Sequence, residues 1–354
     1  MSEYSLANYV TKLEMMKHDG NGTSLLPMIN SLSQRIDLLK VAYWQECNDG
    51  TGHKGVREFS QPVGQWRGYN EGVSVETPSS VNFREPTGML ASRWQADMSM
   101  MRHSKNPGEK RMRMMGQFSA GMLKTFSSTI LYGDRSVDGK RPNGIMTRTA
   151  YNTLSSARTH DNAGGAASVT ANKTSLLIIG FGPEKVSLIH PANDAPGSVD
   201  ANHPDPDMSG AGIRVTDLGP DLVKDPGGTN EFYAARSWLE FHWGLAIEDE
   251  RYIQRMCNIS TTNIDGVDDF SFDYQVLNSA LEAMPDTNGA AIFVNKTLRT
   301  QLRNAVAEKS NVFHTVDFPW GKNQLAIDNI PVLLMSPTDT GLTGGIVNTE
   351  ATVV

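Results

Sequence analysis

The stretch PGEKRMRMMGQFSAGMLKTFSSTILYGD, residues 107–134, decides how the rest of the chain is arranged. Met115, Phe118, Met122, Phe126 and Ile130 recur at steps of three and four, the spacing of one face of an α-helix, and Met112 and Leu123 widen the stripe. Pro107 costs little in a first turn, whose amides have no partner to lose, and Gly133 just past Tyr132 suits a helix stop. At ~1.5 Å per residue the helix runs roughly 40 Å, about the width of a domain, so neighbouring segments must pack along it.

Composition bounds what can surround this helix. A chain of 354 residues allows two or three domains, or one core with large excursions, and 39% apolar residues suffice for that core. Charged residues at 20% are fewer than in most soluble enzymes, which leaves surface for burial against partners. With 39 acidic against 32 basic residues the net charge is -7, and a general nucleic-acid-binding surface is not indicated. The two cysteines, Cys47 and Cys257, each lack a nearby Cys or His, so they read as reduced and structural thiols rather than a disulfide or a zinc site. The N-terminal stretch MSEYSLANYVTKLEMMKHDG has no basic segment leading into an apolar run, and no stretch reaches ~18 consecutive apolar residues. The expectation is a soluble, non-secreted protein with no membrane partner.

Upstream of the long helix, residues 1–50 read as helical: Tyr4 to Met16, then Leu25 to Trp44 with Leu25, Ile29, Leu32, Ile36, Leu39 and Tyr43 at helical spacing. They form an arm with an apolar face to dock. From Val56 to Val75 the pattern suits strands, with Asn70-Glu-Gly72 as a turn, and the chain stays extended through Val81, Phe83 and Leu90 to Trp94. A two-stranded excursion has no core of its own, so its apolar side must rest on another surface. Downstream, Ser155 to Ala171 reads as a surface loop, Leu176–Ile179 and Val186–Ile189 as strands, and 192–230 as a loop-rich insertion with one extended piece near Ile213 to Leu218. Trp238–Ile247 and Arg251–Ile259 are again strand-like. Tyr274–Met284 forms a helix, Ala290–Val294 a buried strand, and Asn295 or Thr297 caps a helix bearing Leu298, Leu302 and Val306. Strand pairs Gln324–Ile327 and Pro331–Met335 follow, and a small, polar tail from Ser336 reads as mobile.

Catalytic signatures fail one by one. Gly180-Phe-Gly182-Pro-Glu-Lys185 follows a strand as a dinucleotide turn does, but Lys185 stands where glycine is wanted and a strand follows where a helix must present its N-terminus. Asp205-Pro-Asp207-Met-Ser209-Gly210 copies half a calcium loop, with Thr216 where a bidentate Glu belongs. His53, His190, His242 and His314 each stand alone. Asp217, Asp221 and Asp225 have four-residue spacing, but the intervening glycine and prolines deny a helix, so no acid and base pair follows. The expectation is no catalytic, cofactor-binding or metal-binding residues, and therefore no cofactor and no enzyme.

A set of local matches then gives a family likeness: Gly52-His53, Trp66-Arg67, Asn70-x-Gly72-Val73, Gly88-Met89-Leu90, Tyr132-Gly133, Trp243-Gly-Leu245, Asp249-x-Arg251-Tyr252 and Asn258. Ala291-Ile-Phe-Val-Asn295 and Ile330-Pro331-Val332 continue it. In this order, over roughly residues 25–336, the chain resembles the major capsid proteins of tailed bacteriophages, in the podovirus-type branch, which share the Hong Kong 97 fold. The resemblance implies an α+β fold in five parts. Residues 1–50 are an N-terminal helical arm, 51–100 an extended β-hairpin loop, and 101–265 a peripheral domain with a spine helix at 107–133 and a strand block carrying the surface insertion 192–230. Residues 266–340 are an axial domain, and 341–354 a mobile tail. A strand block at Leu176–Ile259 ahead of the axial domain departs from the usual order and suggests a permuted connection.

The implied function is self-assembly into the icosahedral shell of a virion that encloses double-stranded DNA without sequence-specific binding, assembled in the host cytoplasm. The implied partners are further copies in hexameric and pentameric capsomers and a portal protein, with room for scaffolding and decoration proteins. Two competing expectations stand beside it: an encapsulin-like shell around cargo, and a hydrolase with dispersed carboxylates drawn from Asp205 to Asp225.

Overall fold

The computed structural model describes residues 38–103, 106–163, 172–191, 213–225, 227–261, 270–308, 313–317, 323–335, 345–351 and 353. The expected arm up to residue 37, the half-calcium loop at 205–210 and residues 192–212 of the 192–230 insertion lie outside them. In chain order the first strands are β1 Trp44–Glu46, β2 Gly52–Ser60, β3 Ser79–Pro86 and β4 Gly88–Asp97. The spine helix Pro107–Tyr132 follows, then β5 Thr159–Asp161, β6 Lys173–Gly180, β7 Val186–His190, β8 Arg214–Lys224, β9 Glu231–Ile247 and β10 Ile253–Ser260. Helix Tyr274–Glu282, β11 Ala290–Val294, helix Lys296–Glu308, β12 Phe313–Asp317, β13 Asn323–Ile327 and β14 Ile330–Leu334 complete it.

Two sheets organise these elements. The first is built on the 17-residue β9, in the order β1-β7-β9-β4 with β8 pairing β9 as well. The second has seven strands in the order β12-β13-β14-β11-β6-β10-β5. Its interior strand β6, LysThrSerLeuLeuIleIleGly, is buried at every position. Alternation explains this: Leu177 and Ile179 enter the main core with the spine helix and β9, whereas Leu176 and Ile178 face the helices at 274–282 and 296–308 through Leu277, Leu281, Leu298 and Leu302. Both of those helices are capped by side chains, Asp273 accepting from Gln275 N and Asn295 from Leu298 N, each at 2.8 Å.

The spine helix occupies the expected residues with a different buried surface. Met122, Phe126 and Ile130 are buried, Met115 and Phe118 only partly, and Met112 is exposed. Met114 is buried instead, in a separate cluster with Trp94, Ala96, Met101 and Ala235. At ~100° per residue Met114 lies about 160° around the helix from Ile130, so the two halves bury opposite faces. Phe118 touches both clusters. A row at steps of four drifts around the helix, and a single stripe cannot describe a helix that passes between two neighbours.

Other expectations need correction. Trp44 opens β1 and does not end a helix; the described helix there is Leu38–Val41. The hairpin strands stop at Ser60 and restart at Ser79, leaving 61–78 without strand pairing. The extended piece near Ile213 runs on to Lys224 as β8, and β9 begins at Glu231, seven residues before Trp238. The boundary expected at residue 265 cuts through a sheet, because β6 pairs antiparallel with both β10 and β11. The strand block ahead of it is therefore no separate unit: the chain alternates between the two sheets, β6 and β10 entering the second and β7 and β9 the first. The described part of the tail, 345–351 and 353, is not loose either, since Ile346, Val353 and the side chain of Glu350 are buried.

Candidate assembly surfaces

The hairpin β2–β3 leaves the body of the protein between β1 and β4, in register Gly52↔Pro86 through Arg57↔Val81. Its root is held by charges. Arg148 donates to both carboxylate oxygens of the buried Glu85, at 2.5 and 3.0 Å. Arg57 crosses to the end of β9, bonding the Ile247 carbonyl, the Glu248 carbonyl at 3.2 Å and Glu250 Oε1 at 2.5 Å, while its guanidinium lies 4.5 Å from the centre of the Phe83 ring. His53 Nε2 sits 3.1 Å from Glu248 Oε1. Lys54 and Arg84 hydrogen bond to Asp49 and hold its carboxyl below the usual carboxylate range. Gly55 lets the Phe83 ring cross the opposite strand, since a Cβ there would sit 2.5 Å from it.

Beyond the root, no position from Ser60 to Asn82 is buried. Trp66 and Tyr69 are fully exposed at 104% and 102%, and Val63 and Val75 nearly so. The tip is shaped by its own polar contacts, Val63 N to Glu76 at 3.0 Å and Gln65 Nε2 to Ser74 Oγ at 2.5 Å, and Asn70 makes the turn at φ +64°. A second exposed apolar pair, Leu222 and Tyr233, stands directly across β8 and β9.

Of the carboxylates offered as hydrolase candidates, Asp205 and Asp207 lie outside the described residues and the other three are occupied. Asp217 pairs with Arg111, whose hydrogen bond holds that carboxyl below the usual range, and Arg111 is fixed in turn by Ser237 Oγ at 2.7 Å and the Trp94 ring at 5.7 Å. Asp221 pairs with Arg236, and Asp225 accepts from Thr229 N at 3.1 Å to close the β8–β9 turn. They line up along one strand and do not converge on a shared cleft. Lys185 of the glycine-rich turn is bound to Asp286 at 2.9 Å and joins β6 to β7 across the two sheets. Burial pushes the Cys47 thiol up to about 11 and the Cys257 thiol to about 12, so neither supplies a thiolate. Among the described residues no group of three His, Cys, Asp or Glu is placed to hold a metal.

One buried charge cluster escaped sequence reasoning. Glu350 accepts from Tyr132 OH at 2.7 Å, from Arg255 Nη2 at 3.0 Å and from Ser175 Oγ. Burial and then the carboxylate push the Tyr132 phenol up, so it stays protonated and donates. The available signal was the one acid of residues 341–354, a stretch otherwise without charge, flanked by Ile346, Val347 and Val353.

An exposed, polar-clamped hairpin, a long spine helix and a two-sheet body are the features expected of a shell subunit, and comparison with known proteins agrees. A family model described as major capsid protein GP7 matches residues 19–354. The chain belongs to this family. The capsid chain is also similar to a chain in the structure of bacteriophage Epsilon15, with TM-score 0.69 and 24% identity over 97% of this chain and 98% of that one. That likeness shows the α+β Hong Kong 97-type fold. The bacteriophage JBD30 capsid matches with TM-score 0.47 and 10% identity over 88% and 93% of the two chains. An encapsulin complex from Synechococcus elongatus PCC 7942 matches more weakly, with TM-score 0.40 and 12% identity over 72% and 95%. No curated protein sequence matches. The family match makes the capsid chain a structural component of a virion and does not favour the encapsulin alternative.

Proposed function

We propose that the capsid chain assembles into hexameric and pentameric capsomers of an icosahedral shell around the double-stranded DNA of a tailed bacteriophage. Portal, scaffolding and decoration proteins are its expected partners, and the host cytoplasm is the place of assembly. The observation that carries this reading is the hairpin: a clamped root and a tip whose large apolar side chains, Trp66 and Tyr69, are fully exposed among the described residues. Such a surface is costly in an isolated subunit and favourable once a neighbouring copy covers it. In domain terms the hairpin within 51–100 reaches over a neighbour, the spine helix supports a peripheral region, and the second sheet with its two helices forms the axial region. DNA is enclosed by the wall rather than gripped, in keeping with a net charge of -7. Electron microscopy of the chain expressed alone and with its neighbouring viral genes tests the proposal. Closed shells, tubes, or five- and six-membered rings support it; a uniform monomer or dimer under every condition refutes it.

A further inference from the structure

The C-terminal segment crosses one end of the second sheet and meets four strands in their spatial order. Ile346 N donates to Met335 O, just past β14, at 2.8 Å. Asn348 Oδ1 accepts from Asn295 Nδ2, just past β11, at 2.6 Å. Glu350 N donates to Lys173 O at the start of β6, at 3.0 Å. Val353 exchanges two 3.2 Å hydrogen bonds with the side chain of Asn258, which sits at the register break of β10 with φ +58°. Two residues of extended chain span ~6.6 Å against a strand spacing of ~4.8 Å, so an oblique path delivers about one contact per strand.

This crossing is more than a surface wrap. Ile346 is fully buried in the main core, and the side chains of Glu350 and Arg255 are only 5% and 3% exposed. Tyr132 ends the spine helix, Ser175 lies on β6 and Arg255 on β10, so one carboxylate ties the helix to two strands of the sheet. Arg255 also donates to Ser175 Oγ at 3.0 Å, to the Tyr151 carbonyl at 2.8 Å and to Asn152 Oδ1 at 3.3 Å, and of these hydrogen-bond partners only Glu350 carries a charge. With the segment undocked, Arg255 is left as a buried cation without its counter-ion, a state that favours local opening.

We propose that residues 345–353 are a closing strap, and that its docking turns the subunit from an open form into the rigid form that enters the shell. The assembly half of this proposal rests on the shell reading above; the strap itself does not. The test uses full-length variants. Tyr132→Phe removes only the link to the spine helix and keeps its packing. Glu350→Leu removes the counter-ion, and Arg255→Met with Glu350→Leu replaces the ion pair by apolar groups of similar size. In free subunits, amide exchange over 345–353 should be slow in the parent chain. Loss of the hydrogen bond to charged Glu350, and of the 3.3 Å one that Val347 N donates to the Tyr132 hydroxyl, should speed it about 10- to 100-fold in Tyr132→Phe, with unchanged helix content by circular dichroism. Glu350→Leu should open the strap further, and the double variant, which removes the unpaired cation but not the loss of the Tyr132 hydrogen bond, should bring exchange back to about the rate of Tyr132→Phe. Shell yield by electron microscopy should follow the closed fraction across the series. Fast exchange in the parent chain, or no change in Tyr132→Phe, overturns the strap; open-strap variants that assemble as well as the parent overturn its role in assembly. A protected strap in a parent chain that forms no particles overturns the shell reading and the gating with it.

Discussion

Replacing Trp66 and Tyr69 together by alanine should leave the subunit folded and abolish shell formation. Both side chains are fully exposed in the isolated chain, so truncation removes no intramolecular packing and should change folding stability by no more than about 0.5 kcal/mol. Covered by a neighbour, a tryptophan buries ~150–250 Å², which at ~25 cal/mol per Å² is roughly 4–6 kcal/mol as an upper bound. Side-chain ordering and incomplete burial reduce this, and aromatic anchors at interfaces cost about 2–4 kcal/mol when truncated. At ~1.4 kcal/mol per factor of ten, each contact weakens about 30- to 1000-fold. A closed shell repeats the contact at every subunit, so the loss should be all or none. Thermal unfolding of the free subunit and particle yield by sedimentation and electron microscopy measure the two halves separately. Parental yields of intact shells would refute the claim that the tip is an assembly contact. An unfolding midpoint lowered by several degrees would refute the claim that it packs on nothing within its own chain.

Phe126→Ala should destabilise the subunit by about 3–5 kcal/mol in denaturant unfolding, because the ring is fully buried and meets Trp243 edge-on at 4.5 Å and Phe241 at 5.5 Å. Met114→Ala should cost about 2–5 kcal/mol and Met112→Ala under about 0.5 kcal/mol, the order that the opposite-face packing requires; equal costs would restore the single stripe. Arg148→Met strands the carboxylate of Glu85, which is only 8% exposed, and should accelerate amide exchange in β2 and β3 while leaving β11 protected. Cys47 and Cys257, with thiols pushed up to about 11 and about 12, should resist a thiol reagent at pH 8 until the chain unfolds. Asp217 has its pKa lowered by Arg111, so its contribution is present above the ordinary carboxylate pKa and is lost as pH falls through the folded value. Asp217→Asn should therefore flatten the acid side of the stability profile, by less than about 1 kcal/mol because the carboxyl is half exposed.

Periodic segments were legible in the sequence because their partners are continuous. The helix at 274–282, β11, the Asn295-capped helix and β14 all lie where spacing and caps put them, the two helices facing one apolar cluster and the two strands lying between two. The spine helix was legible in extent and not in orientation, because the sequence records which residues are apolar and not that two clusters approach from opposite sides. The run Leu176–Ile179 announced a strand buried on both faces, but an all-apolar strand carries no mark of its partner, so its pairing with β10 and β11 appeared only in the fold. The strap was missed for a related reason. Its holding residues, Glu350 and Asn348, are polar, and a polar tail is distinguishable from a docked one only when the buried Arg255 and Asn258 that receive it are seen.

The assembly surface divides its labour between charge and apolar area. Arg57, His53, Lys54, Arg84 and Arg148 form polar contacts only at the hairpin root, where they meet Glu248, Glu250, Asp49 and Glu85 and set the direction in which the ribbon leaves the body. The tip beyond Ser60 carries the apolar side chains and has no strand pairing. A fixed root lowers the orientational cost of association, because the ribbon is aimed before it meets a partner, whereas an unpaired tip can adjust to surfaces that differ between one position in a shell and another. Stiffening the tip should then narrow the range of shell geometries the chain can enter, and loosening the root should slow assembly in all of them.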